Sequence, residues 1–128
     1  MIAKSKEERL VKELLANVNR AVRRIKNKKR GLITTLTYEQ LYERMVKINW
    51  TCEKTLIPFP LLDKGYKRWQ LVNIGINPLI MPSVDRIDSN GHYTIDNIQM
   101  VSQFYNLGKT DNEDRWADEI IKLIKENK

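Results

Sequence analysis

Apolar positions recur along the first quarter of the chain at three- and four-residue steps. Leu10, Val11, Leu14, Leu15, Val18, Ala21, Val22 and Ile25 fall on one face of a helix. The spacing predicts a helix from about Lys6 to Lys28, ended by Gly31. Thr37-Tyr38-Glu39-Gln40 reads as a capping box. Leu41, Met45 and Val46, with Ile48 and Trp50 following, supply the face of a second helix. From Thr51 to Met81 the pattern is punctuated by Pro58, Pro60, Gly65 and Pro78, which predicts loops with brief strands. Leu79 to Ile87 reads as a strand and Asp88-Ser89-Asn90-Gly91 as a turn. Tyr93 and Ile98-Gln99-Met100-Val101 suit the returning strand. Ser102 can cap a short helix carrying Phe104, Tyr105, Asn106 and Lys109. Thr110-Asp111-Asn112-Glu113 opens a last helix, residues 111–127, with Trp116, Ile120, Leu123 and Ile124 facing inward.

A length of 128 residues, 41% hydrophobic and 30% charged, predicts one globular domain spanning 1–128. Its apolar runs are far shorter than a bilayer span, so no membrane partner is expected. The opening residues Met1 to Lys6 lead into charge, so no secretory signal is read and an intracellular, cytoplasmic location is expected. Cys52 is a lone cysteine and excludes an internal disulfide. With His92 as the single histidine, a protein-only zinc site is not expected either.

The net charge is +7, and its distribution says more than its size. Residues 1–30 hold eleven Lys and Arg against three acids, a balance of +8, whereas residues 31–128 balance at −1. Between Arg20 and Arg30 stand Arg20, Arg23, Arg24, Lys26, Lys28, Lys29 and Arg30 with no acid. Such a run reads as a phosphate-contacting segment, because each neutralised phosphate releases counterions and adds affinity independent of sequence. The bland alternative is a solvated helix end, where cations suit the dipole.

The stretch from Asp85 to Lys109 concentrates Asp85, Arg86, Asp88, His92, Asp96, Asn97, Asn106 and Lys109. An acid on a strand and an amide on a following helix can converge on a hard divalent cation. Mg²⁺ suits such oxygen donors, keeps several waters and accepts phosphate oxygens. On composition alone, Asp88, Asn90, Asp96 and Asn97 could equally be turn formers.

The order of residues adds to this. Pro82-Ser83-Val84-Asp85-Arg86-Ile87-Asp88 through Gly91-His92-Tyr93-Thr94-Ile95-Asp96-Asn97-Ile98-Gln99-Met100-Val101, then Asn106-Leu107-Gly108-Lys109, resembles the HNH (His-Me finger, ββα-metal) endonucleases. It looks especially like their phage-type branch, with its SxDRID…GYTxDNxQxV…NxxK pattern. Upstream, Cys52-Glu53-Lys54-Thr55-Leu56-Ile57-Pro58-Phe59 is similar to an element that often precedes that core. The resemblance implies an α+β fold: a small ββα-metal hairpin–helix core over 79–109, flanked by the basic helix of 1–30 and the helix of 111–127. It implies that Asp85 and Asn106 ligate Mg²⁺ or Mn²⁺, that Asn97 organises the metal loop, and that Lys109 contacts phosphate. It also suggests a phage-encoded protein acting on DNA, duplex or branched.

One position departs from the usual motif. Arg86 stands where most HNH enzymes carry the histidine that activates water. A guanidinium stays protonated and is no general base, though it can clamp a phosphate. The remaining candidates for the base are His92, Tyr93 or a metal-bound hydroxide. His92 has a suitable intrinsic pKa but falls in the turn, where an exposed residue is the plainer reading.

Trp50, Trp69 and Trp116 could stack on bases, but each adjoins an apolar pattern and is expected in the core. Cys52 reads as a small buried hydrophobe. Lys64-Gly65-Tyr66-Lys67-Arg68-Trp69 mixes basic and aromatic residues, as a secondary nucleic-acid contact or as an ordinary surface segment. The leading expectation is a metal-dependent DNA endonuclease or nickase. A non-catalytic DNA-binding or regulatory protein on a decayed HNH scaffold is the alternative, and an RNA- or protein-interaction module the third. The apolar face of the first helix could pair with a second copy to give a homodimer, or cover the core of its own chain.

Overall fold

The computed structural model describes residues 5–110, the side chains of Ile25 and of residues 108–110 apart. The expected helix of 111–127, with Trp116, lies outside the described residues, as does the side chain of Lys109.

The first helix, α1 (Lys6–Arg23), starts where Ser5 Oγ accepts the Glu8 backbone N–H at 3.1 Å. Glu7 and Glu8 in its first turn and Arg20 and Arg23 in its last complement the helix dipole. Leu10, Val11, Leu14 and Val18 are buried, so this face covers the core of its own chain. The single helix expected to Lys28 is broken at Arg24, whose backbone is extended (φ −60°, ψ 138°); α2 (Ile25–Lys29) then resumes. Neither proline nor glycine marks this break. Asn27 Nδ2 donates to Ala21 O at 2.7 Å, a carbonyl at the helix end that also accepts the longer 3.3 Å bond from the Arg24 backbone N–H. Gly31 then turns the chain at φ +73°, a left-handed conformation that glycine adopts without a Cβ penalty.

Helix α3 (Tyr38–Lys47) carries the capping box read from the sequence: Thr37 Oγ1 accepts from Gln40 N, and Gln40 Oε1 accepts from Thr37 N. Leu41 and Met45 are fully buried against α1. In the proline-punctuated region the brief strands do not form beyond one isolated bridge, Thr51 to Pro58. A short helix, α4 (Arg68–Asn73), stands there instead, fitting between Gly65 and Gly75.

Strands β1 (Pro82–Arg86) and β2 (Ile98–Ser102) pair antiparallel, with Asp85 opposite Gln99 and Arg86 opposite Ile98. Leu79 and Ile80, expected in the first strand, instead fall in a 3₁₀ turn (Pro78–Ile80), because Pro78 fits the start of a helical turn and Asn77 Oδ1 caps it from Leu79 N–H. The second strand starts at Ile98. Tyr93 pairs instead with Thr34 in a parallel bridge. Every residue of β2 is buried. Its outer edge is covered by Cys52 and Glu53: Glu53 N donates to Met100 O, Glu53 Oε2 accepts from Met100 N, and Cys52 Sγ accepts from Ser102 N at 3.4 Å. Helix α5 (Gln103–Thr110) follows directly. Ser102 is the last residue of β2; its buried Oγ has no hydrogen-bond partner among the described residues, so it does not cap α5 as expected.

The fold is α+β: five helices and one two-stranded sheet among the described residues. Val84, Ile98, Met100 and Val101 of the sheet join Leu14, Leu41, Met45, Cys52 and Phe59 in one core. Trp50 packs at its edge, whereas Trp69, expected inside, is 61% exposed on α4. No described helix is long and apolar enough to cross a membrane.

Candidate functional site

The alternation of β1 sets Ser83 and Asp85 on the same side of the strand. Asp85 is buried, 8% exposed as a residue, and its Oδ2 accepts from Gln99 Nε2 at 2.8 Å across the sheet. A buried carboxylate needs such partners to offset lost hydration. Asn106, on the first turns of α5, donates from Nδ2 to Ser83 Oγ at 3.0 Å. With its nitrogen committed there, Oδ1 is the atom this amide can offer to a cation.

Asp85 and Asn106 line one cleft of about 760 Å³. The same cleft is lined by Arg24, Lys26 and Arg30, from the break between α1 and α2 and the residues after it, and by Arg86 and Tyr93 among others. The kink at Arg24 thus turns part of the basic run towards the hairpin. Arg20, Arg23, Lys28 and Lys29 are exposed but are not among the lining residues. Arg20 bonds Asn17, and Arg23 Nε donates to Asn19 O, so both lie along α1.

The loop between the strands is held from within. Asn97 Oδ1 accepts from Asp88 N at 2.9 Å, and its Nδ2 donates to Asp88 O at 3.1 Å and His92 O at 2.9 Å. Asp88 Oδ1 accepts from Asn90 N, an Asx turn. Arg86 Nη1 donates to Ser89 O at 2.9 Å and Gly91 O at 3.0 Å, with its guanidinium carbon 5.2 Å from the centre of the Tyr93 ring. Arg86 therefore braces the loop as well as facing the cleft.

His92 is exposed, and its Nδ1 accepts from the backbone N–H of Ile33 at 3.2 Å. It ties the loop to the strand-like segment after Gly31 and is not among the residues lining the cleft, so the structure separates it from Asp85 and Asn106. Sequence reasoning assigns no role to Ser83 and Gln99, which orient Asn106 and Asp85. The cross-strand position of Gln99 is accessible in principle, by counting pairs back from the loop, once the loop length is known.

No three His, Cys, Asp or Glu side chains cluster as a metal cage among the described residues. One carboxylate and one amide oxygen in a single cleft fit a hard divalent cation that fills its remaining positions with water and phosphate oxygens, the habit of Mg²⁺ and Mn²⁺. No family model, curated protein or solved structure matches the chain.

Proposed function

We propose that the protein is a metal-dependent DNA endonuclease or nickase, with β1, β2 and α5 as a ββα-metal core of the HNH type. The observation that carries this reading is the shared cleft, which Asp85 and Asn106 line together with Arg24, Lys26 and Arg30. A phosphodiester drawn in by three cations meets the two oxygen donors that suit Mg²⁺ or Mn²⁺. When bound, such a cation offsets the charge that builds on the phosphate and on the leaving oxygen.

The chain's own residues supply position and charge. Gln99 holds the Asp85 carboxylate, and Ser83 holds the Asn106 amide, so neither donor has to be reoriented when DNA arrives. Arg86 keeps its guanidinium at the cleft wall through the Ser89 and Gly91 carbonyls, adding a fixed positive charge for a phosphate oxygen. Tyr93 brings a phenolic hydroxyl to the lining of the cleft. It is the group best situated to hold or relay a proton of the attacking water.

A second reading, a non-catalytic DNA-binding protein on the same scaffold, draws support from His92. The chain's single imidazole bonds Ile33 away from the cleft, and Arg86 follows Asp85 where a base is usual. Incubating supercoiled plasmid with purified protein and Mg²⁺, Mn²⁺ or EDTA separates the two. Nicking in either metal and none in EDTA is the expected result. Salt-sensitive binding with no nicking in either metal would replace the first reading by the second.

A further inference from the structure

The basic and aromatic segment from Lys64 to Trp69 takes no part in the cleft, yet a groove joins the two. This groove, of about 360 Å³, is lined by Asn17, Arg24, Arg68, Ser83, Gln103 and Asn106 together with Tyr93 and several apolar residues. It shares Arg24 and Asn106 with the cleft and reaches Arg68 on α4, and no carboxylate stands among its described lining residues. Its volume is that of a small-ligand site, room for a nucleotide or two of single strand and not for a duplex. Glu13 lines the neighbouring hollow beyond Arg68, which discourages a polyanion from continuing there.

The residue after Arg68 is Trp69, 61% exposed, with Val72 equally exposed one turn on. From Lys64 to Val84 the sequence holds Lys64, Lys67 and Arg68 and no acid. The nearest acid before it, Asp63, accepts from Tyr66 Oη at 2.8 Å. An exposed indole that follows the groove-lining Arg68 on the same short helix has the chemistry of a base-stacking platform next to a phosphate track.

We infer that the protein takes an unpaired DNA strand, the arm of a fork or branch, along this groove, with Arg68 on a phosphate and Trp69 stacked on a base. This rests on the DNA-binding reading above and deepens it to a substrate class. The test uses the full chain in EDTA, with oligo(dT), a forked duplex and a blunt duplex as probes. Oligo(dT) and the fork are expected to bind more tightly than the blunt duplex. Trp69→Ala weakens both by about tenfold and shifts blunt-duplex binding by less than about twofold, while Trp69→Phe keeps most of the affinity. Oligo(dT) also quenches the tryptophan emission of the wild type, and quenches Trp69→Phe less.

Unchanged blunt-duplex binding doubles as evidence that Trp69→Ala is folded, and Arg68→Gln gives a second variant with the same expected preference. Equal losses on oligo(dT) and blunt duplex, or no loss on either, would overturn the inference while leaving the DNA-binding reading in place. A dimer in sedimentation that dissociates in Trp69→Ala would assign this face to a second copy and overturn it too. A wild type that binds none of the three probes removes both readings together.

Discussion

A Cβ on Gly91 would stand 2.6 Å from Asn97 Nδ2, the amide nitrogen that donates to Asp88 O and His92 O. The loop between the strands closes on that approach, so Gly91 is required by close packing and not by a left-handed backbone. Gly91→Ala has to push the Asn97 amide off two carbonyls. It is expected to lower stability by about 1–3 kcal/mol, as overpacking against a fixed neighbour does. Urea unfolding measures this; an unchanged midpoint would show that the amide relaxes without loss.

Arg86 joins two tasks that lysine cannot combine. Its Nη1 donates to two loop carbonyls while the guanidinium lies over Tyr93. An ammonium is a compact point charge and gives up the fork geometry or the ring. Arg86→Lys should cost about 1–2 kcal/mol and speed amide exchange in residues 88–91. Wild-type exchange rates in that loop would show that Arg86 does not brace it.

The basic run divides into a part that lines the cleft and a part that does not. Replacing Arg24, Lys26 and Arg30 together by glutamine should reduce the slope of log affinity against log salt by about 0.9 for each phosphate no longer neutralised. Cleavage at moderate salt should fall with it. Replacing Lys28 and Lys29 should weaken binding while sparing cleavage of bound plasmid. Equal effects on cleavage from the two sets would mean that the wall of the cleft has no special share in holding the substrate.

Burial pushes the Cys52 thiol up, but hydrogen bonds from the Thr55 side chain and from the Ser102, Lys54 and Thr55 backbone outweigh it and hold the thiol below its ordinary value. A folded pKa that is depressed contributes stability above the unfolded pKa, and loses it as pH falls through the folded value. The stability advantage of the wild type over Cys52→Ala should therefore grow from about pH 7 to about pH 9. Paired urea midpoints at the two pH values test the sign, and an advantage that shrinks would contradict it.

Much of the local structure is legible in the sequence because its causes are local. Ser5, the capping box of Thr37 and Gln40 and the apolar face of α1 act over three or four residues. The two strands of the hairpin are readable too, though Tyr93 is drawn away from the second by pairing with Thr34, a partner 59 residues distant. The break at Arg24 is not readable, since no proline or glycine marks it and the Asn27 bond to Ala21 spans six residues. That break turns Arg24, Lys26 and Arg30 towards Asp85, so the cleft itself is hidden although most of its residues stand out along the chain. Trp69 misleads for the converse reason. Its apolar neighbours Val72 and Ile74 are exposed with it, and periodicity does not tell an outward face from an inward one.

The proposed service of Asp85 to a bound metal in cleavage is put to its sharpest test by Asp85→Asn. Asparagine keeps the volume of the side chain and an oxygen for Gln99 Nε2, and removes the charge. In Mg²⁺ the variant is expected to nick supercoiled plasmid roughly 100-fold more slowly or worse, with duplex affinity in EDTA unchanged within about twofold. Nicking by Asp85→Asn at the wild-type rate would contradict it.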